Sequence, residues 1–320
     1  MKIAVFGAGA VGGYAAAKLA LAGMPVSVVA RGAQLAAIRA RGLTLIESGE
    51  PRRAEVAATE RAAELGEQDL VILALKAHSL PAATADIATL LGPRSILLSA
   101  QNGIPWWYFH QEGGALDGRT IEAVDPGGTL YRSLDPGRIL GCVLHMAALV
   151  PEPGVVRHQT GNRFILGELD GTVSERLQQV FALLAKAGIG AETTTDIRRE
   201  IWFKLWGNVA FNPLSALAAA TLDRMIAEPA IRGLAVEIMN ETERVAGRLG
   251  IRFAMDVQAR VEVVRRLGAF KTSMLQDLEA GRPLEIAALM DAVAEIGRRI
   301  DCPTPMTEAV AALVRLRAQV

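Results

Sequence analysis

Apolar positions in the first part of the chain come in short blocks rather than at helical spacing. KIAVF (2–6), PVSVVAR (25–31), DLVILALK (69–76) and SILLSAQNG (95–103) are β-branched or leucine-rich runs, and each stops at glycine, a cation or an amide. Continuous blocks of this length predict strands buried on both faces. Between them lie helical stretches, an alanine-rich one closed by Gly23 and AQLAAIRARG. Strand and helix in alternation predict βαβ units and a parallel, doubly wound α/β sheet. Two later β-rich pieces, ILGCVLHMAALV (139–150) and VVRHQTGNRFILGEL (155–169), extend that sheet. The arginine-bearing stretch RARGLTLIESGEPRR (39–53) reads as a solvated loop.

From about Gly171 the pattern changes. TVSERLQQVFALLAKAG is amphipathic at helical spacing. After IGAETTTDI the sequence is nearly all helical in pattern, with interruptions near GRPLEI (281–286) and DCPTP (301–305). The organisation expected is an α/β domain over 1–170 and an all-helical domain over 171–320. Two halves of such different class make the cleft between them the default place to look for a ligand.

Composition narrows the function. Hydrophobic residues are 51% of the 320 and charged residues 21%, while Lys+Arg and Asp+Glu balance at 34 each. That balance offers no basic footprint for nucleic acid. Cys142 and Cys302 lack a near partner and the four histidines lack ligand spacing, so neither a disulfide framework nor a metal site is expected. No segment reads as a signal peptide or a membrane span. The expectation is a reduced, soluble, cytoplasmic protein whose partner is a small molecule, with no nucleic acid and no membrane. The apolar C-terminal helices could bury themselves within their domain or against a second copy, as in a homodimer.

GAGAVG, residues Gly7, Ala8, Gly9, Ala10, Val11 and Gly12, follows a strand directly and opens a helix. In that frame the first glycine makes a tight turn and the second lets the backbone approach a pyrophosphate. The third lets helix and strand pack, and the diphosphate sits at a helix N-terminus. The pattern predicts dinucleotide binding. The second strand ends in Ala30 and Arg31, where an NAD site usually carries an acid for the ribose 2′-hydroxyl. An arginine there suits a 2′-phosphate, so NADP(H) is expected over NAD(H). Lys76, at the end of the third strand, is a second candidate cation for that phosphate or a surface lysine.

FKLWGNVAFNPLSAL (203–217) is mostly what a buried helix should be, yet Lys204, Asn208 and Asn212 interrupt it every four residues. That spacing stacks them on one face. Reducing a carbonyl requires a proton for the oxygen. Lys204 can polarise the carbonyl and donate it, while the two amides hydrogen-bond a polar substrate. Asn102, at the end of the fourth block, is placed near a bound nicotinamide or is a turn residue. Glu285, among apolar neighbours in GRPLEI, could pair with Lys204 or hold the cofactor. The competing reading is a buried polar cluster that pins the two domains together.

GAGAVG, the strand ending in Lys76, QNG (101–103), WFKLWGNVAFNPLSAL (202–217), TSMLQDLEAGRPLEI (272–286) and the closing PTP occur in an order that resembles the ketopantoate reductase family. The resemblance covers nearly the whole chain. It implies a Rossmann domain followed by a helical domain like the C-terminal domain of 6-phosphogluconate dehydrogenase. It also implies reduction of a 2-oxo acid by NADPH on the pantothenate and coenzyme A route. Carried over by position, Lys204 would donate the proton, Asn208, Asn212, Ser273 and Asn102 would bind substrate, and Glu285 would sit by cofactor and lysine. Arg31, Lys76 and Asn102 would contact the cofactor. Two places depart from the family pattern. IPWWYFHQEGG (104–114) replaces a small loop, and Ala287 stands where many relatives have Asp. The aromatic run would either line a larger pocket or pack the loop down. A reductase of a different, bulkier 2-oxo acid therefore stays open, as does a non-catalytic NADPH-binding regulator.

Overall fold

Each apolar block of the N-terminal part becomes a strand. The computed structural model describes residues 1–319. It contains β1 (Ile3–Phe6), β2 (Val26–Val29), β3 (Leu43–Glu47), β4 (Glu50–Ala54), β5 (Ala57–Thr59), β6 (Gln68–Leu73), β7 (Leu91–Ser99), β8 (Ile139–Glu152), β9 (Val155–Glu168) and β10 (Gly190–Thr193) in one sheet. The helices of this part are α1 (Ala10–Leu21), α2 (Gly32–Arg41), α3 (Leu80–Ala88), α4 (Thr129–Ser133) and α5 (Glu175–Lys186). The order β5-β2-β1-β6-β7-β8 is parallel throughout and is that of a dinucleotide-binding doubly wound sheet. Its order reverses between β1 and β6, the place where such sheets bind their ligands. Central strands are fully buried, with Val5, Val28, Leu70, Ile72 and Leu98 sealed from solvent.

The arginine-bearing stretch is not a loop. β3 and β4 form an antiparallel hairpin in which Glu47 faces Glu50 across the two-residue turn Ser48-Gly49, both at positive φ (53° and 84°). That geometry matches the right-handed twist of paired strands. Leu43 and Leu45 flank Thr44 and are buried, while Arg52 and Arg53 lie on the exposed β4 edge and Arg39 and Arg41 lie in the last turn of α2. The alternation was present in the sequence, but the charges masked it. β3 then pairs in parallel with β9.

The first compact unit is Met1–Gln101, His110–Glu112 and Thr129–Ile197, so it runs past the expected limit at residue 170. The amphipathic segment after Gly171 belongs to the sheet. β10 pairs in parallel with β9, and α5 is the crossover between them. Ser174 caps α5 by accepting from the Leu177 N–H at 3.1 Å. At the end of β9, Glu168 is almost sealed from water and accepts from Arg176 Nε at 2.7 Å and Nη2 at 2.5 Å. The hydrogen bond to Glu168 holds the Arg176 guanidinium above its ordinary value.

The second unit comprises Asn102–Phe109, Gly113–Gly128 and the chain from Arg198. Its helices are α6 (Ile197–Ala218), α7 (Leu222–Ala227), α8 (Pro229–Arg248), α9 (Val257–Arg265), α10 (Ser273–Glu279), α11 (Ala292–Arg299) and α12 (Pro305–Arg317), with a π-turn at Ala287–Asp291 before α11. α6 is the centre of this unit. Trp202 and Trp206 are sealed, and the Trp206 indole donates to the Met239 carbonyl on α8 at 2.9 Å and stacks on Phe253 at 4.3 Å. α12 starts where PTP predicts a stop. Buried Glu241 of α8 accepts from the N–H groups of Met306 (2.8 Å) and Thr307 (2.9 Å) and from the Thr307 hydroxyl (2.7 Å). A carboxylate satisfied by orphan helix N–H groups is favoured by the helix dipole.

The aromatic run also settles here. Trp106 and Trp107 are 1% exposed, and Tyr108 and Phe109 are sealed. The Tyr108 hydroxyl accepts from the Trp202 indole at 2.6 Å, and its carbonyl accepts from Arg198 Nε at 2.9 Å. All four rings are buried, and Tyr108 packs edge-on against Phe109 and against Trp202 of α6.

Candidate active site

In the first unit the candidate groups are mostly backbone. Gly7 has φ +101°, and a Cβ there would lie 2.9 Å from Leu75 and 3.1 Å from the Ala74 carbonyl. At Gly12 a Cβ would overlap the Gly7 carbonyl. These glycines let α1 start tight against the ends of β1 and β6. Around Gly9, by contrast, a Cβ would meet nothing within 4 Å, and no side chain caps α1. The start of α1 is thus left without a side-chain cap, as suits a pyrophosphate at a helix N-terminus. Gln34, which sequence reasoning did not single out, braces this turn. Its amide donates to the Ala8 carbonyl at 2.7 Å and accepts from the Gly154 N–H at 2.9 Å.

Arg31 lies two residues past β2 and precedes the first turn of α2. Its side chain is 63% exposed and makes only a long ion pair, 3.6 Å, with Asp86 of α3. A guanidinium so lightly held is available to an incoming phosphate. β6 ends at Leu73, and Lys76 follows half-buried in the turn leading to α3. Gln101 ties the end of β7 to that of β6, its amide donating to the Leu73 carbonyl at 2.5 Å.

The second unit supplies side chains. Lys204 Nζ donates to Asn102 Oδ1 at 2.5 Å, across 102 residues of sequence. The QNG turn is fixed from below. Gly103 has φ +79°, a Cβ on it would collide with the Ala288 carbonyl, and the Ile104 N–H donates to that same carbonyl at 2.9 Å. Asn102 is thereby pinned to the π-turn that begins just after Glu285, whose own carbonyl accepts from the Leu289 N–H at 3.3 Å. A π-turn re-aims the side chains around it and recurs at functional sites. Glu285 and Lys204 are both half-buried.

The column on α6 is graded in depth. Lys204 and Asn208 are half-buried and Asn212 is 7% exposed, just before Pro213 inside the helix. Neither Asn208 nor Asn212 makes a side-chain hydrogen bond to another described residue. Asn208 and Asn212 thus keep donors and an acceptor each for something else. Ser273 is exposed at the first position of α10, whose cap is Thr272, accepting from the Leu275 N–H at 3.2 Å. Next to it in the TSMLQD motif, buried Asp277 accepts from Arg282 Nε at 2.9 Å and so holds the GRPLEI turn. The structure thus brings Lys204 and Asn102 into contact and sets the two amides on the same helix. Ser273 has no hydrogen bond to any of them.

Among the described residues no group of three His, Cys, Asp or Glu side chains is arranged to hold a metal, and no helix is long and apolar enough to cross a membrane. A glycine-turn dinucleotide fold followed by a helical unit with a lysine and amides on one helix defines the class, a pyridine-nucleotide oxidoreductase. The particular family follows from comparison with known proteins. The model of ketopantoate reductase PanE/ApbA matches residues 3–171 and that of its C-terminal domain matches residues 196–318. The chain belongs to the ketopantoate reductase family. It is 52% identical over 316 residues to a 2-dehydropantoate 2-reductase of Mesorhizobium japonicum, covering 98% of this chain and 97% of the relative. Among solved structures, a ketopantoate reductase candidate from Ralstonia solanacearum MolK2 superposes with a TM-score of 0.96 at 46% identity, over 99% of this chain and 98% of the other. The 2-dehydropantoate 2-reductase of Geobacter metallireducens does so with a TM-score of 0.86 at 29% identity, over 99% of each chain.

Proposed function

We propose that this protein reduces ketopantoate to pantoate with NADPH, the step that feeds pantothenate and coenzyme A synthesis. The observation that carries the reading is the Lys204–Asn102 hydrogen bond, 2.5 Å, beside two amides with no described partner. The dinucleotide, held by the Gly7–Gly12 turn with Arg31 and Lys76 toward its 2′-phosphate, supplies the hydride. Lys204 polarises the carbonyl oxygen and gives it a proton. Asn102, by accepting from the ammonium, fixes the direction of its remaining protons and keeps one aimed at substrate. Asn208 and Asn212 hydrogen-bond polar groups of the substrate, Ser273 adds a hydroxyl, and Glu285 pairs with the lysine or steadies the cofactor.

Arg31 in place of the usual acid favours NADPH over NADH. The aromatic run was one of the two departures, with Ala287, that left a bulkier acid open, and its burial supports the smaller substrate. The test follows loss of NADPH absorbance with ketopantoate beside smaller and bulkier 2-oxo acids, with NADH in parallel. The expected result is the highest kcat/KM for ketopantoate with NADPH. A bulkier acid turned over clearly faster would replace this substrate while leaving the chemistry of Lys204 in place.

A further inference from the structure

Arg260 is a partly buried cation that the mechanism above does not use. It sits on α9 and lays its side chain across α6, with Cζ 4.7 Å from the centroid of the Phe203 ring. A Cβ on Gly207 would lie 3.2 Å from its Nη2, 3.6 Å from Nε and 3.7 Å from Cζ. The guanidinium therefore rests flat on the helix, in a space that exists because residue 207 has no side chain. Its Nε is buried and has no hydrogen-bond partner among the described residues. No described carboxylate lies within ion-pair distance of it, and burial alone pulls its pKa below the ordinary value. Its neighbours on and just after α9 behave differently, since Arg265 and Arg266 both pair with Glu262. A half-buried guanidinium left without an anion is costly, and an arriving anion would offset that cost.

The position says which anion. Lys204 is the residue after Phe203 and lies three before Gly207, so its Cβ is about 5–6 Å from the residue under the guanidinium. In a 2-oxo acid the carboxylate and the carbonyl are on adjacent carbons, a separation that two such neighbouring cations can bracket. A planar guanidinium binds a carboxylate in bidentate fashion. We propose that Arg260 is the carboxylate anchor of the substrate, orienting the 2-oxo acid so that its carbonyl oxygen meets Lys204. This rests on the reading of the site as a 2-oxo acid reductase and assigns it a specificity-determining residue outside the Lys204–Asn208–Asn212 column.

The test is calorimetric titration of oxamate, an unreactive 2-oxo acid mimic, into the full chain saturated with NADP⁺, for the natural protein and for Arg260→Gln and Arg260→Lys. Titration of NADP⁺ alone runs beside it. Oxamate should bind the natural protein and lose about tenfold or more in affinity in Arg260→Gln, the size of a lost charge-assisted pair. Arg260→Lys should recover part of that loss. NADP⁺ affinity should stay within about twofold, and the unfolding midpoint should not fall, because an unpaired buried charge is being removed. In turnover, KM for the acid should rise more than kcat falls, and the preference for a 2-oxo acid over its methyl ester should shrink. Equal oxamate affinity in Arg260→Gln, or no oxamate binding at all, would overturn the anchor. A loss confined to NADP⁺ would also overturn it and assign the guanidinium to a cofactor phosphate. The two readings fail separately: oxamate binding that depends on Arg260 without turnover of any 2-oxo acid would remove the reductase and keep the anchor.

Discussion

The two units build their parts of the machinery from different materials. In the first, the work falls to backbone: a turn that glycines make, and a helix start with no side-chain cap. In the second it falls to side chains: an ammonium, amides and a guanidinium carried by helices whose other faces are core. A site of backbone tolerates almost no substitution at its glycines but is indifferent to most residues between them. A site of side chains is changed one function at a time. The difference explains why variants in the two units should fail in different ways.

The contrast can be broken first at the aromatic run, where the largest effect on stability is expected. Trp107→Ala should cost about 3–5 kcal/mol, as emptying a large buried ring site does, measured by denaturant unfolding. The relative rates on several 2-oxo acids should stay as they were in whatever fraction folds. A changed acid preference with little loss of stability would make the run part of the pocket.

A smaller effect sharpens the contrast in the first unit. Arg31→Ala should raise KM for NADPH about tenfold, the weight of one exposed charge-assisted contact to a phosphate, and leave KM for NADH nearly unchanged. The preference between cofactors should therefore narrow. Equal losses for both cofactors would assign Arg31 to the α2 start or its Asp86 contact instead.

Much of this was legible in the sequence because the signals were local. GAGAVG needed only its neighbours to be read, and the spacing of Lys204, Asn208 and Asn212 stood out because the rest of the helix is apolar. The tight turn read at Gly7 and the close helix–strand packing read at Gly12 are present in the geometry. Three features were not legible, each for a physical reason. The β3–β4 hairpin hid behind its arginines, although Ser48-Gly49 and the alternation of Leu43 and Leu45 carried the signal. The placement of α5 and β10 with the sheet depends on the long-range pairing of β9 with β10, which no local pattern announces. Arg260 looked like one more charge on an amphipathic helix. Only the missing side chain at residue 207, fifty-odd positions away, gives it a place to lie.

The most direct test of the account replaces Lys204 with alanine and follows both NADPH consumption with ketopantoate and NADPH binding by fluorescence. Loss of the proton donor should lower kcat by about 10²-fold or more while NADPH affinity stays within a few-fold, because the glycine turn and Arg31 are untouched. A variant that keeps near-normal kcat would contradict the role given to Lys204 and leave the column on α6 as structure alone.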